Sequence, residues 1–489
     1  MNILEALDFI NEIEDNYPVK DWRINEIDLW PYFRMKAIHE AVYSDVFKGV
    51  NHVEGRHGYY NQLYNLLGAT WYSVVDYAHS ETKHNADVVF LGDNVTRTIK
   101  VATGEKACQN LDAIKCGLQQ IGYSVYSMER ITSSVLKFPR FTKSDLMYVW
   151  DEFKIKLQSR FKQDDVEIKL PFFEEVESFI CTQSGISCIS RQELIRVGAV
   201  MDLYVKYFFD VLNIANAKLG VATCWYTYIQ MAFMCACRKK RIPCIDIQHG
   251  LAGADNHEAY VRWNNIPSDG YNTMPTHFWC WSLADMEAIK GWYNCCNDIS
   301  RGALLCGNPV YGLSVYENSK YWLHEFKTIK TKGMMPVLLS LQAGINLPEW
   351  IICYIKKTES KIQWFVRQHP VRDWVQEQII SRLRGLGNVE IDFSSLCPLT
   401  IILQCVSFHI TSHSAVVSDA AVIGLKSAVF TDLGKQLFFN RIVAGECFYV
   451  DDENGLGAII ETVAKECNTG GLKVGIDEGI KEMVRLLGK

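Results

Sequence analysis

What this chain lacks narrows its chemistry before any motif is read. Neither half carries G-x-G-x-x-G after a first strand, and G-x-x-x-x-G-K-[ST] occurs nowhere, so nicotinamide oxidoreductases and P-loop nucleotide hydrolases lose their main support. H-E-x-x-H and G-x-S-x-G are missing as well, which removes the zinc peptidase and serine-hydrolase elbow readings. No apolar run reaches the ~18 residues needed to span a bilayer. The first residues, "MNILEALDFINEIEDNY", form an acidic amphipathic helix pattern without the basic and apolar regions of a signal peptide. Membrane contact is thus expected to be peripheral at most, and the chain to work in the cytoplasm, with the inner face of the cytoplasmic membrane as the place for any such contact.

Excess positive charge is also missing. Fifty Lys and Arg against 56 Asp and Glu leave a formal charge of −6, which gives no bulk attraction to nucleic acid. The local basic clusters "CRKKR" (237–241) and "KTIKTK" (327–332) read as solvated surface ahead of lipid or phosphate contacts. Cysteine is plentiful, with 17 residues, but Cys280, Cys306 and Cys405 sit inside apolar runs as reduced core thiols do. Cys235 with Cys237, and Cys295 with Cys296, lack the C-x-x-C spacing of zinc sites, so no metal is expected.

What is present is a chain of 489 residues, 48% hydrophobic, with room for two or three domains. From residue 336 onward, "PVLLSLQ", "KIQWFVRQHP", "NVEIDF", "SFHITSHS", "SAVFTD" and "CFYVDD" alternate with helical stretches, as parallel βαβ units do. The first half repeats the grammar in "ADVVFLGDN", "YSVYSM", "VATCWY", "PCIDIQHG", "HFWCWS" and "LLCGNP". The expected fold class is α/β, with two Rossmann-like domains facing across a cleft and a mostly helical N-terminal segment. The expected boundaries are 1–80 for that segment, packed on the first domain; 81–312 for the first domain; 313–472 for the second; and 473–489 for a final helix able to pack back across the first. Gly307, Pro309 and Gly312 punctuate the break.

In open parallel sheets ligands bind beyond the carboxyl ends of the strands, so the residues just after each apolar run matter most. In the second half these are Gln342; Arg367, His369 and Pro370; and Ser412, His413 and Ser414. Small hydroxyl residues at a strand-to-helix junction offer donors to an anion, with a plain N-cap as the competing reading. A phosphate or diphosphate suits that place, and Arg367 and His369 could reach it from the side. In the first half the strand ends give Asp93 and His249. The run-off "HGLAGADNHEAY" adds Asp255, His257, Glu258 and Tyr260, and "NVTRTIK" adds Arg97. His249, Asp255, Asp93 and Glu258 are the candidates for base or nucleophile; capping competes for Asp93 and loop solvation for Asp255. Trp22 and Trp30 in the N-terminal segment read as packing anchors.

The ordered set "IPCIDIQHGLAGADNHEAY", "THFWCWS", "LLCGNP", "LLSLQ", "WFVRQHP" and "HITSHSAVVSDAAVIGLKSAVF", over roughly residues 220–450, resembles the GT-B-fold glycosyltransferases that build bacterial capsules and lipopolysaccharide. It is closest in style to the Kdo transferases and bacterial sialyltransferases. Those families hold a donor phosphate with a His-Pro motif and a following Ser/Thr-rich motif, which match His369-Pro370 and Ser412–Ser414. The resemblance implies a metal-independent transferase without cofactor. Its donor would be a CMP-linked ulosonic acid such as CMP-Kdo, and its acceptor an oligosaccharide or lipid-linked glycan of capsule or O-antigen; His257, Tyr260 and Arg97 would lie on the acceptor side. The acidic D/E-D/E-G motif of several sialyltransferases has no counterpart in the first domain, since "IDEG" (476–479) lies at the wrong end. A donor of another kind (UDP-sugar, CDP-alditol or phosphoribosyl pyrophosphate), a non-hydrolysing sugar-nucleotide epimerase and a non-catalytic assembly subunit therefore stay open.

Overall fold

The computed structural model describes residues 2–47, 85–130, 139–146, 155, 158, 166–184, 189–293, 301–313, 319–329, 333–371, 373–465 and 474–488, with side chains of the first run described as far as residue 42. Residues 48–80 of the expected N-terminal segment, Cys295 and Cys296, the end of "KTIKTK" and residues 314–318 at the expected break lie outside these. The chain divides into two units: Met1–His249 with Glu258–Pro309 and Ile476–Lys489, and Gly250–His257 with Val310–Gly475.

The first unit is built on a seven-stranded sheet: β1 (Val88–Asp93), β2 (Val125–Arg130), β3 (Asp145–Leu146), β4 (Leu219–Thr223), β5 (Cys244–Ile247), β6 (His277–Cys280) and β7 (Gly302–Leu305). Its spatial order is β7-β6-β5-β4-β1-β2-β3, parallel throughout. β1, β4, β5 and β6 are buried at every position. That is why these runs read as continuously apolar rather than alternating: a parallel sheet is covered on both faces. The strand order reverses between β1 and β4, the place where doubly wound sheets open a crevice at their carboxyl edge.

The N-terminal residues belong to this unit. Helix Ile3–Asn16 begins with a capping box, in which Asn2 Oδ1 accepts from Glu5 N–H at 3.0 Å and Glu5 Oε2 accepts from Asn2 N–H at 3.0 Å. Trp22 and Trp30 are fully buried and meet edge to face at 5.5 Å, as the anchor reading expects. The buried Glu14 accepts from Trp30 Nε1 (2.8 Å) and Arg34 Nε (3.0 Å), while Arg34 Nη1 donates to the Glu258 carbonyl at 2.8 Å. The final helix, Ile476–Leu486, also packs on the first unit, with Gly479 lying against the Trp279 indole.

The second unit holds β8 (Met335–Ser340), β9 (Ile362–Arg367), β10 (Val389–Glu390), β11 (Phe408–Thr411), β12 (Ser427–Val429) and β13 (Cys447–Tyr449), in the order β10-β9-β8-β11-β12-β13, again all parallel. Its core gathers Val337, Leu339, Ile351, Ile355, Trp364, Val366, Phe408 and Ile410 between sheet and helices. The reversal falls between β8 and β11. The described cysteines are all free thiols. No helix among the described residues is long and apolar enough to cross a membrane.

Candidate functional site

In the first unit, β4 stops at Thr223 because Cys224 adopts a left-handed conformation, with φ of 57°. The turn Cys224–Thr227 then leads into helix Tyr228–Lys240. It is pinned to the neighbouring strand, since the Trp225 N–H donates to Asp246 Oδ1 on β5 at 3.1 Å. Tyr260 donates its phenol hydrogen to the other oxygen at 2.8 Å. Burial pushes the Asp246 carboxyl up to about 8, against these two hydrogen bonds. The strand-end histidine lies on the turn: His249 Nε2 is 3.1 Å from Cys224 Sγ and 3.1 Å from Tyr226 Oη.

Asp93 closes β1 on the other side of the reversal. Its carboxylate makes no cap bond to the following turn, Asn94–Thr96. Instead it meets Arg130 Nη1 at 3.6 Å and accepts from Gln230 Nε2 at 3.3 Å. Burial first, then the charges of Asp246 and Asp93, raise the Cys224 thiol above its usual range; burial, Cys224, Glu258 and Asp246 raise the Tyr226 phenol. Asp93, His249, Glu258 and Tyr260 thus gather around one strand-end turn whose own residues, Cys224 and Tyr226, sequence reasoning passed over. The rule that picked out His249 points to them equally, because "VATCWY" also ends a strand.

Three other first-half candidates are placed elsewhere. Arg97 is fully buried, and its Nε lies 2.9 Å from both Glu129 oxygens while Nη1 donates to Asp112 Oδ2 at 3.0 Å. Asp255 and His257 belong to the second unit. The Asp255 carboxylate is wholly buried; it pairs with Arg441 and accepts from Ser418 Oγ at 2.8 Å and from the Ala252 N–H at 3.1 Å. That arrangement anchors the short segment 250–257.

In the second unit the reversal between β8 and β11 places Gln342 beside Ser412, whose Oγ donates to Gln342 Oε1 at 3.3 Å. Thr411 Oγ1 donates to the Ser340 carbonyl at 2.9 Å, and Thr431 Oγ1 to the Ser412 carbonyl at 2.8 Å, fixing both strand ends. Gly434 lies so close to the Ser412 carbonyl that a Cβ there would stand 2.2 Å from the oxygen. Ser414 Oγ accepts from the Val416 N–H at 3.4 Å, a weak turn bond at the start of the seven-residue helix Val416–Val422. Burial pulls the His413 imidazole down to about 4, so it is neutral at physiological pH; its buried Nδ1 has no hydrogen-bond partner among the described residues.

At the end of β9, Arg367 Nη1 donates to the carbonyls of Ser394 (2.7 Å) and Cys397 (2.5 Å). Burial lowers its pKa, and no carboxylate among the described residues lies within ion-pair reach of its guanidinium. His369 folds back into its own turn, where Nδ1 accepts from the Val371 N–H at 3.1 Å, with exposed Pro370 between them. Asp373 ties that turn to the loop after β8 by accepting from the Gly344 N–H at 2.6 Å. Among the described residues, no group of three or more His, Cys, Asp or Glu side chains stands where it could hold a metal ion.

No family model matches the chain, and no curated protein matches it in sequence. Solved structures resemble it in the course of the backbone. The UDP-GlcNAc 2-epimerase from Neisseria meningitidis bound to UDP-GlcNAc is 12% identical, over 82% of this chain and 98% of that one, with a TM-score of 0.47. The UDP-GlcNAc 2-epimerase of Methanocaldococcus jannaschii in complex with UDP-GlcNAc and UDP is 12% identical over the same shares, with a TM-score of 0.46. The wall teichoic acid polymerase TagF is 12% identical, over 91% of this chain and 97% of that one, with a TM-score of 0.43.

Proposed function

We propose that the chain is a glycosyltransferase that binds an activated sugar donor by its phosphate at the carboxyl ends of β8, β9 and β11. The observation that carries the reading is Arg367. Arg367 is half-buried, and a cation drawn partly out of water is destabilised unless a counter-charge meets it. Here two carbonyl oxygens supply only partial charge and no described carboxylate supplies the rest. A donor phosphate would complete the site. Gln342, Ser412, His413 and Ser414 stand at the strand-order reversal next to it, and His369 closes the following turn.

In this reading Arg367 and the fixed donors stabilise the leaving phosphate as its charge grows, without a cofactor. The acceptor is a bacterial surface glycan, free or lipid-linked, and the acceptor-side roles fall to His249, Asp93, Glu258 and Tyr260 of the first unit. A CMP-linked ulosonic acid is the first donor to try, because the His-Pro and Ser-His-Ser segments resemble those of enzymes that use one. UDP-sugars, CDP-alditols and phosphoribosyl pyrophosphate follow. Work at the inner face of the cytoplasmic membrane would suit a lipid-linked acceptor.

Isothermal titration with CMP, UDP, CDP and phosphoribosyl pyrophosphate tests the donor site. One of them should bind, and Arg367→Gln should weaken it roughly 10- to 150-fold, the worth of hydrogen bonds to a charged group. Silence from all four on the wild-type protein sinks the reading. Conversion of a sugar nucleotide to its epimer without acceptor would replace transfer by epimerisation.

A further inference from the structure

Glu258 and Tyr260 sit on a stretch, residues 258–265, that is neither helix nor strand, and its own sequence does not account for its shape. "EAYVRWNN" has no glycine, yet Arg262 and Asn265 both take left-handed backbone, with φ of 53° and 48°. Such conformations are uncommon at non-glycine residues and persist where the surroundings over-determine them. Here the surroundings come from the two amino-terminal helices, Ile3–Asn16 and Trp30–Phe47.

Arg34, with no solvent exposure, donates from Nη1 to the Glu258 carbonyl (2.8 Å) and from Nη2 to the carbonyls of Arg262 (2.9 Å) and Val261 (3.4 Å). Its Cζ lies 4.0 Å from the centre of the Trp263 ring. Nε donates to Glu14, whose second carboxylate oxygen accepts from the Asn264 N–H at 2.8 Å; the Glu14 carbonyl accepts from Asn265 Nδ2 at 2.9 Å. One buried ion pair therefore grips the stretch from end to end. Replacing such a pair with apolar residues is often close to neutral for stability. A guanidinium, however, is a planar fork with fixed directions, so it selects one arrangement of the carbonyls around it.

What the grip places is the acceptor side of the site. The Tyr260 phenol donates to Asp246 on β5 at 2.8 Å, and its ring meets Tyr226 edge to face at 6.3 Å. Glu258 stands close enough to Tyr226 for its charge to raise the phenol. We infer that the two amino-terminal helices are a brace, in which Arg34, oriented by Glu14, fixes residues 258–265 and so presents Glu258 and Tyr260 at the turn after β4. Arg34 and Glu14 are positioning residues. Their role in transfer rests on the transferase reading; the brace itself rests on the contacts alone.

Limited trypsin digestion of the full-length protein, with sites located by mass spectrometry, tests the brace. Arg262 is exposed and lies in irregular chain, a place that trypsin would cut early if nothing held it. Wild-type protein should resist there, and cleavage after Arg262 among the earliest sites overturns the inference without any variant. Arg34→Lys keeps a charge beside Glu14 but loses the fork, so cleavage after Arg262 should speed up about 10- to 150-fold, the worth of a hydrogen bond from a charged group. Cleavage within helix Arg191–Ala215 of the same unit should not change. Asp8→Asn breaks only the exposed pair with Arg262 (2.6 Å) and should speed cleavage about fivefold at most. An Arg34→Lys rate no higher than that of Asp8→Asn, or an equal rise in helix Arg191–Ala215, overturns the brace. With a donor in hand, Arg34→Lys should lower kcat roughly 10- to 100-fold with KM for the donor little changed, and unchanged kcat in a loosened variant refutes the positioning role. If the stretch loosens as expected but the wild-type protein binds no donor, the transferase reading fails and the brace stands.

Discussion

His409 offers a test whose sign and size both come from the structure. It sits on β11 with no solvent exposure, between β8 and β12; Nε2 lies 3.1 Å from Ser340 Oγ and Nδ1 2.9 Å from Ser427 Oγ. Burial lowers its pKa from 6.5 to about 3. The unfolded chain therefore takes up a proton near pH 6.5 that the native unit refuses until about pH 3. The stabilisation is complete above pH 6.5 and is lost as pH falls toward 3. At ~1.36 kcal/mol per pKa unit, the 3.5 units between 6.5 and 3 set a ceiling of about 5 kcal/mol. At about pH 4.5, two units down, the loss is about 3 kcal/mol. His409→Gln keeps an amide donor and acceptor between the two serines and removes the titration. Amide exchange by mass spectrometry on peptides covering β8, β11 and β12, corrected for intrinsic rates, should show the wild-type sheet losing about 3 kcal/mol more than the variant between about pH 7 and pH 4.5. Equal acid losses in the two proteins would show that His409 is not desolvated in the native sheet.

Two further substitutions probe the framework. Asp255→Asn takes from the buried Arg441 its fully buried counter-charge, Glu446 at 3.1 Å being partly exposed. The cost should be about 3–5 kcal/mol, with Arg441→Met restoring part of it in the double variant; an unshifted thermal melt for Asp255→Asn would count against a buried ion pair. Gly479→Ala would set a Cβ 2.0 Å from Trp279, which cannot retreat because its Nε1 donates to the Gly307 carbonyl at 2.7 Å. The overpacking should cost about 1–3 kcal/mol and speed limited proteolysis of the final helix. Gly117→Ala meets only the movable Ile480 Cδ1 and should do much less, so similar cleavage rates for the two variants would dismiss the contact.

The strands were legible because parallel strands buried on both faces leave short apolar runs that turns interrupt. Their ends were harder to place. "NVEIDF" is strand only at Val389–Glu390, since Glu390 Oε1 accepts from the Phe393 N–H at 2.8 Å and starts a helix. "VATCWY" stops early for the left-handed Cys224. The strand-end rule reached His249, Asp93, Gln342, Arg367 and Ser412 because position on a parallel sheet follows from local pattern. It also offered Arg97 and Asp255 as candidates but could not show their buried ion pairs, which depend on partners distant in sequence: Glu129 lies 32 residues from Arg97, and Arg441 lies 186 from Asp255. Nor could local pattern show that Gly250–His257, the continuation of a first-unit strand, groups with the second unit.

The division of the chain carries a consequence for its synthesis. The second unit's long stretch, Val310–Gly475, emerges in one piece, and its short contribution, Gly250–His257, has by then been made. The first unit starts earlier in the sequence but still needs Ile476–Leu486, the helix that covers Trp279 and Gly117. Domains usually mature in the order in which the ribosome delivers them. Here the order is inverted at the last step: the unit begun first is finished last, and until the final turns of helix leave the ribosome it carries an uncovered apolar face. A nascent chain stalled before residue 476 would expose that face to chaperones although its sheet of seven strands had already been translated.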